Sequence, residues 1–186
     1  MDISAVISPT IEDEESLQTF FDALIDHVLN IERDVSRLKD VPGDREVIAN
    51  LFRAVHNIKG DASLCKVDFA VAIAHPIEGL LSRLRAGEVV FSDLAAEAIL
   101  LATDRLELAT DALITHRPLD SLRLVPLVQG LEKMSRSMPE GIDAAASALI
   151  ESVTGFNAAS SATMPKGKVL AGSRKNLQVA DDLRFF

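Results

Sequence analysis

The chain has 186 residues, enough for one large domain or for a domain of about 130 residues with appendages. Acidic residues outnumber basic ones 28 to 19, a formal charge of −9, which argues against a nucleic-acid surface built on clustered Lys and Arg. The single cysteine, Cys65, rules out an internal disulfide framework and a Cys-rich zinc site, while 24 Ala and 24 Leu make the composition helix-forming.

Residues 1–11 carry Pro9 and no periodicity and read as an N-terminal arm. From Glu12 a stripe begins: Leu17, Phe20, Phe21, Leu24, Val28, Ile31, Val35 and Leu38 recur every three or four residues, the spacing of one helical face. The acidic run 12–15 suits the positive end of that helix's dipole. Pro42-Gly43 ends it, and Asp44 is positioned to cap a second helix over residues 45–64 with Val47, Leu51, Val55, Ile58 and Ala62 inward. Asp68 is the expected cap of a third helix, with Ala70, Ile73, Ile77, Leu80, Leu81 and Leu84 inward and Gly87 as its left-handed stop.

Ser92-Asp93 opens a fourth helix, with Leu94, Ala98, Leu101, Leu108 and Ala112 assigned inward, ending before Pro118. Two weaker helices follow, over residues 121–136 and 142–153; their apolar positions Leu122, Leu124, Leu127 and Leu131 suit either dimerisation or packing back on the bundle. No alternating strand pattern occurs. Short loops between long amphipathic helices predict an all-α fold, an antiparallel up-and-down four-helix bundle with extra C-terminal helices and a flexible tail. Residues 12–117 form the bundle in this reading, 118–153 the additional helices, and 154–186 a linker and terminal helix. Residues 154–175 hold Lys166, Lys168, Arg174 and Lys175 and no acid, so the rest is more acidic still than the whole chain. The early residues lack a signal-peptide pattern and no uncharged run approaches the ~18 residues of a membrane span, so a cytoplasmic protein is expected.

Of the four histidines, His27, His56, His75 and His116, the second stands apart. It follows the inward Val55 by one residue, a rotation of ~100° that carries it from the core stripe to the flank. Its helical neighbours are Arg53, Lys59, Gly60 and Ser63, a positively charged surface of small side chains. A phosphoryl group on His56 would bring about two negative charges, which Lys59 and Arg53 are placed to offset. Gly60 costs a mid-helix position about 1 kcal/mol relative to Ala. Close approach of another protein's backbone explains it, and so does tight helix packing or a kink.

The run Leu51-Phe52-Arg53-Ala54-Val55-His56-Asn57-Ile58-Lys59-Gly60 resembles the phosphorylation-site helix of histidine phosphotransfer (HPt) domains, most of all the N-terminal phosphotransfer domain of CheA-type chemotaxis kinases. Residues 74–87, with His75, Pro76, Glu78 and Gly87, resemble that family's next helix, and Ala102-Thr103-Asp104-Arg105-Leu106 its fourth. The likeness runs from Glu14 to Leu113. It implies a phosphocarrier in a two-component phosphorelay: His56 is phosphorylated at Nε2 and exchanges the group with a receiver aspartate. With no glycine-rich nucleotide loop and only ~70 residues after the bundle, the chain is not expected to be a kinase itself. The resemblance implies further that Lys59 is the phosphoryl's charge partner and that His75 and Glu78 orient the imidazole; Arg53, Gly60, Asp61 and Ser63, on the surface around His56, are the residues expected to face the partner. A response-regulator receiver and a sensor histidine kinase are the implied partners, without nucleic acid or membrane. No cofactor or metal is expected on this chain, Mg²⁺ belonging to the receiver.

Three residues depart from the family's pattern. Pro76 removes the N–H that would bond the Ala72 carbonyl and is expected to bend the third helix and shift Glu78 relative to His56. Lys66 stands where the family usually has Gly, and Asp61 puts a negative charge where a small residue is usual. Asp61 and Pro76 favour an alternative, a regulatory bundle that binds a receiver or kinase without being phosphorylated. A metal-binding bundle on His56, His75 and Glu78 has only one reversed Glu/His pair to offer. The two terminal Phe residues fit an input module of a longer signalling protein.

Overall fold

In the computed structural model, which describes Pro9 and residues 13–155, six α-helices follow one another: α1 (Glu14–Asp40), α2 (Arg45–Leu64), α3 (Asp68–Ala86), α4 (Asp93–Ile114), α5 (Leu124–Arg136) and α6 (Ile142–Thr154). No strand occurs among the described residues. The arm, apart from Pro9, and the basic segment beyond residue 155 lie outside them.

Helix boundaries follow from local chemistry. At the head of α1 the Asp13 carboxylate accepts from the N–H groups of Glu15 and Ser16, 3.4 and 2.9 Å away. The Asp44 carboxylate does the same for Glu46 and Val47 at 3.0 and 3.1 Å, and the Ser92 hydroxyl accepts from Ala95 N–H at 3.1 Å. The third cap differs from expectation. Helix α3 begins at Asp68 itself, behind Val67, whose hydrocarbon side chain has no acceptor to offer as a cap and is buried in the core. The preceding turn explains this. Lys66 is in the left-handed region (φ 56°), so Val67 N–H folds back to the Ala62 carbonyl at 2.8 Å and delivers Val67 inward.

The stripes of α1, α2 and α3 point into the core as their spacing required, Phe21 alone being only partly buried. The assignment on α4 is corrected. Leu108 is exposed and Leu94 and Leu101 are only partly buried, whereas Ala95, Ala98, Ile99, Ala102, Leu106, Ala109 and Ala112 line the interior. The helix is apolar on most of its faces, and its small residues let both α1 and α6 pack against it.

Helix α1 packs against α2 and α4, and α2 against α3, but α3 and α4 barely meet. The side between them is completed by the α5–α6 hairpin, α5 lying on α3 and α6 on α4. Leu122, Leu124, Leu127 and Leu131 are buried in this same core, so the hairpin's apolar face is used within the chain. Gly130 lets the hairpin close, since a Cβ there would fall 2.7 Å from Leu149 Cγ. The helix expected from residue 121 is instead a 3₁₀ turn, Asp120–Leu122, followed by α5, with Arg123 left-handed between them (φ 53°). Pro126 accounts for the break, because its ring would clash with the Leu122 carbonyl in a continuous helix.

A lysine in the left-handed region carries a conformational cost of about 1 kcal/mol that glycine does not. Lys66→Gly is therefore expected to raise stability by about that amount and the melting midpoint by roughly 2–4 °C, measured by thermal unfolding.

Candidate functional site

The site forms on the flank where α2 packs against α3. Val55 and Ile58 are fixed in the core at 1% exposure each, which leaves His56 between them standing outward with 57% of its side chain exposed. Glu78, reaching across from α3, is 13% exposed and meets two groups of α2 at once. Its Oε1 lies 2.6 Å from His56 Nδ1, and its Oε2 accepts from the Lys59 ammonium. A carboxylate can only accept, so Nδ1 carries the proton and the neutral ring keeps its free lone pair on Nε2. Nε2, on the opposite edge, makes no hydrogen bond among the described residues.

Glu78 is held ionised. Burial pushes its pKa upward, but hydrogen bonds from His56 and Lys59, with the charge of the Lys59 ammonium, outweigh burial and leave it below the ordinary carboxylate value. Pro76 lies within α3, yet the helix continues through it and Glu78 reaches His56 all the same. The expected displacement of Glu78 is not found.

The other candidates are placed as follows. His75 is exposed on α3 and makes no hydrogen bond or ion pair among the described residues, so the structure joins Glu78 but not His75 to the imidazole. Arg53 is exposed one turn before His56, its guanidinium donating to the Asn50 side-chain oxygen. Ser63 is exposed and its hydroxyl donates to the Lys59 carbonyl at 2.8 Å. Asp61 bonds across to α1, where its Oδ2 lies 3.1 Å from His27 Nε2. That pairing went unseen in the sequence because the two residues are 34 positions apart on different helices.

Gly60 settles one open choice. A Cβ built there meets nothing within 4 Å, so tight helix packing does not require the glycine. One further residue borders the ring: Phe52 stacks on it, and Arg85 lies over Phe52. The four-residue spacing of Phe52 and His56 was a visible signal for the first contact; nothing local announces the second. Among the described residues no group of three or more His, Cys, Asp and Glu side chains is disposed to hold a metal ion, and no helix is long and apolar enough to cross a membrane.

The Hpt domain family model matches residues 15–115, more than half of the chain. The chain is 28% identical over 121 residues to chemotaxis protein CheA of Rhizobium meliloti (strain 1021), covering 65% of this chain and 16% of that protein. It is 43% identical over 63 residues to CheA of Cereibacter sphaeroides, covering 34% of this chain and 9% of the relative. Against the sensor histidine kinase CheAY of Helicobacter pylori it is 23% identical over 94 residues, 50% of this chain and 12% of that one. The matches thus span a small part of each relative's length.

Two outcomes test this geometry. Gly60→Ala adds a methyl group to open space in a helix and is expected to stabilise the fold by about 1 kcal/mol, read from urea unfolding. The folded pKa of Glu78 lies below its ordinary value of 4.5, so its contribution to stability is complete above that pH and is lost as pH falls through the lowered value. The stability difference between the unaltered protein and Glu78→Gln should accordingly be level above about pH 4.5 and shrink below it; a difference that grows in acid contradicts the assignment.

Proposed function

The chain belongs to the Hpt domain family, and on that premise we propose that it is a phosphocarrier whose phosphoacceptor is Nε2 of His56. The observation that carries this reading is the Nδ1–H···Glu78 hydrogen bond on a ring that is otherwise open to solvent. The Nε2 lone pair attacks the phosphorus of a phosphorylated donor; the P–O bond breaks, the P–N bond forms, and the donor's oxygen departs with the bond's electrons. Nδ1 keeps its proton throughout, so the phosphorylated ring carries a positive charge that the Glu78 carboxylate balances. In the return step a receiver's aspartate oxygen attacks the same phosphorus, and the ring leaves neutral. No proton needs to move in either direction, which supports reversible exchange.

In this reading Lys59 is the phosphoryl's charge partner: it lies one turn beyond His56 and is already held beside it by Glu78. Arg53 adds charge from the other side. Gly60 and Ser63 leave the ring approachable, and Leu64, 83% exposed, adds an apolar contact for a docking partner. The proposed partners are a sensor histidine kinase and a response-regulator receiver that brings its own Mg²⁺, with no cofactor on this chain. Residues 12–117 carry the chemistry, and 118–153 brace α3 and α4 from behind. Asp61, engaged with His27, and Pro76, which leaves Glu78 in reach, lend little weight to an unphosphorylated binding bundle.

Incubation with acetyl-phosphate-charged receivers is expected to add one acid-labile phosphoryl group, detected by mass, and His56→Gln to abolish it. No adduct with any receiver tested, or an equal adduct on His56→Gln, would sink the proposal. Gly60→Ala, though more stable, is expected to lower transfer from the receiver by weakening its docking.

A further inference from the structure

A hydrogen bond in the plane of an imidazole fixes where Nδ1 lies but leaves the ring free to tip about the line joining donor and acceptor. In this protein a second restraint acts on the ring's face. Phe52, one turn before His56 on α2, lies nearly parallel to it, with centroids 6.0 Å apart and planes inclined by 13°, an offset stack. The Phe52 ring is covered in turn by the Arg85 guanidinium, whose Cζ is 4.2 Å from the ring centroid. Phe52 is half-buried and packs against the core, whereas Arg85 is exposed and has no hydrogen bond or ion pair among the described residues. Arg85 comes from the last turn of α3, the helix that also supplies Glu78.

We propose that Phe52 and Arg85 are positioning residues for the phosphoacceptor, Arg85 pinning the aromatic plate that keeps the His56 ring from tipping out of line with an incoming phosphorus atom. This rests on the reading of His56 as the phosphoacceptor. Arg85 acts through Phe52, not on the phosphoryl group. Its planar guanidinium matches the flat ring in a way that a lysine ammonium does not. Together the two restraints hold an exposed ring in one orientation: Glu78 acts in its plane, Phe52 on its face, and both are tied to α3. A solvent-exposed nucleophile is thereby kept near its attack geometry without being buried.

The test uses the full chain and phosphoramidate, a small phosphoryl donor that needs no docking surface. Arg85→Ala and Phe52→Leu are each expected to slow phosphorylation of His56 by about two- to fivefold, Phe52→Tyr to retain the rate, and Arg85→Lys to fall short of it. Arg85→Ala placed in the Phe52→Leu background is expected to add nothing, as one residue acting through the other requires. In the unphosphorylated chain, ¹³C relaxation of the His56 Cε1–H bond is expected to show a looser ring in Arg85→Ala and Phe52→Leu, with the melting midpoint checked alongside. An unchanged phosphoramidate rate, an unchanged ring, or an Arg85→Ala effect that persists without Phe52 overturns the proposal. Ring relaxation is measured without any partner, so a chain that exchanges nothing with receivers would defeat the phosphocarrier reading and leave this inference to its own measurement.

Discussion

The Glu78 carboxylate, shared between His56 and Lys59, is the contact on which the candidate site depends. It lies on α3 and both its partners lie on α2, so its geometry is only as good as the packing of those two helices. That packing is secured beneath the site by side chains with no role in the chemistry: Val55 and Ile58 on one helix, Ile77 and Leu81 on the other, each at most 2% exposed. A one-residue shift of either helix would turn the polar group it carries by ~100° and separate the pair. The core thus sets the position of the charges, and the charges set the tautomer of the ring.

Such an arrangement resolves a conflict built into any exposed nucleophile. A phosphoryl group has to be reached by another protein, which demands exposure, whereas attack on phosphorus demands order, which exposure normally removes. Here the imidazole's unprotonated edge faces solvent while its protonated edge is bound to a largely buried acid. The acid is itself kept ionised because two cationic or proton-donating neighbours outweigh its partial burial. Removing Lys59 would therefore do more than delete a charge near the phosphorus; it would leave Glu78 with a single partner in a partly dry setting.

Much of this was written plainly in the sequence. Helices α1 and α2 were readable to the residue or nearly so, because a clean apolar stripe, a capping aspartate and Pro42-Gly43 all agree on the same boundaries. Helix α4 was legible in extent but not in phase: with apolar residues on most faces, periodicity favoured the large Leu108, whereas packing used the small Ala side chains that admit two neighbouring helices. The break at Arg123 follows from Pro126, which lies inside the helix expected from residue 121. The α5–α6 hairpin's place between α3 and α4 depends on shape, including the space at Gly130 for Leu149, and no local pattern encodes it. At the site, the step from His56 to Glu78 came through family resemblance, since 22 residues and a turn between two helices separate them; the His27–Asp61 pair had no such guide and was missed.

The glycines then show where fold and function part company. Gly130 is required by packing: a methyl group there would run into Leu149. Gly60 costs α2 about 1 kcal/mol of helix propensity relative to Ala, yet the space beside it is empty. That space opens to the surface beside His56, where the proposed partner would dock. Helix propensity alone would have placed alanine at this unstrained, unpacked position, so a glycine next to His56 fits the docking surface that the proposed phosphotransfer requires and the chemistry that the Glu78 contact prepares.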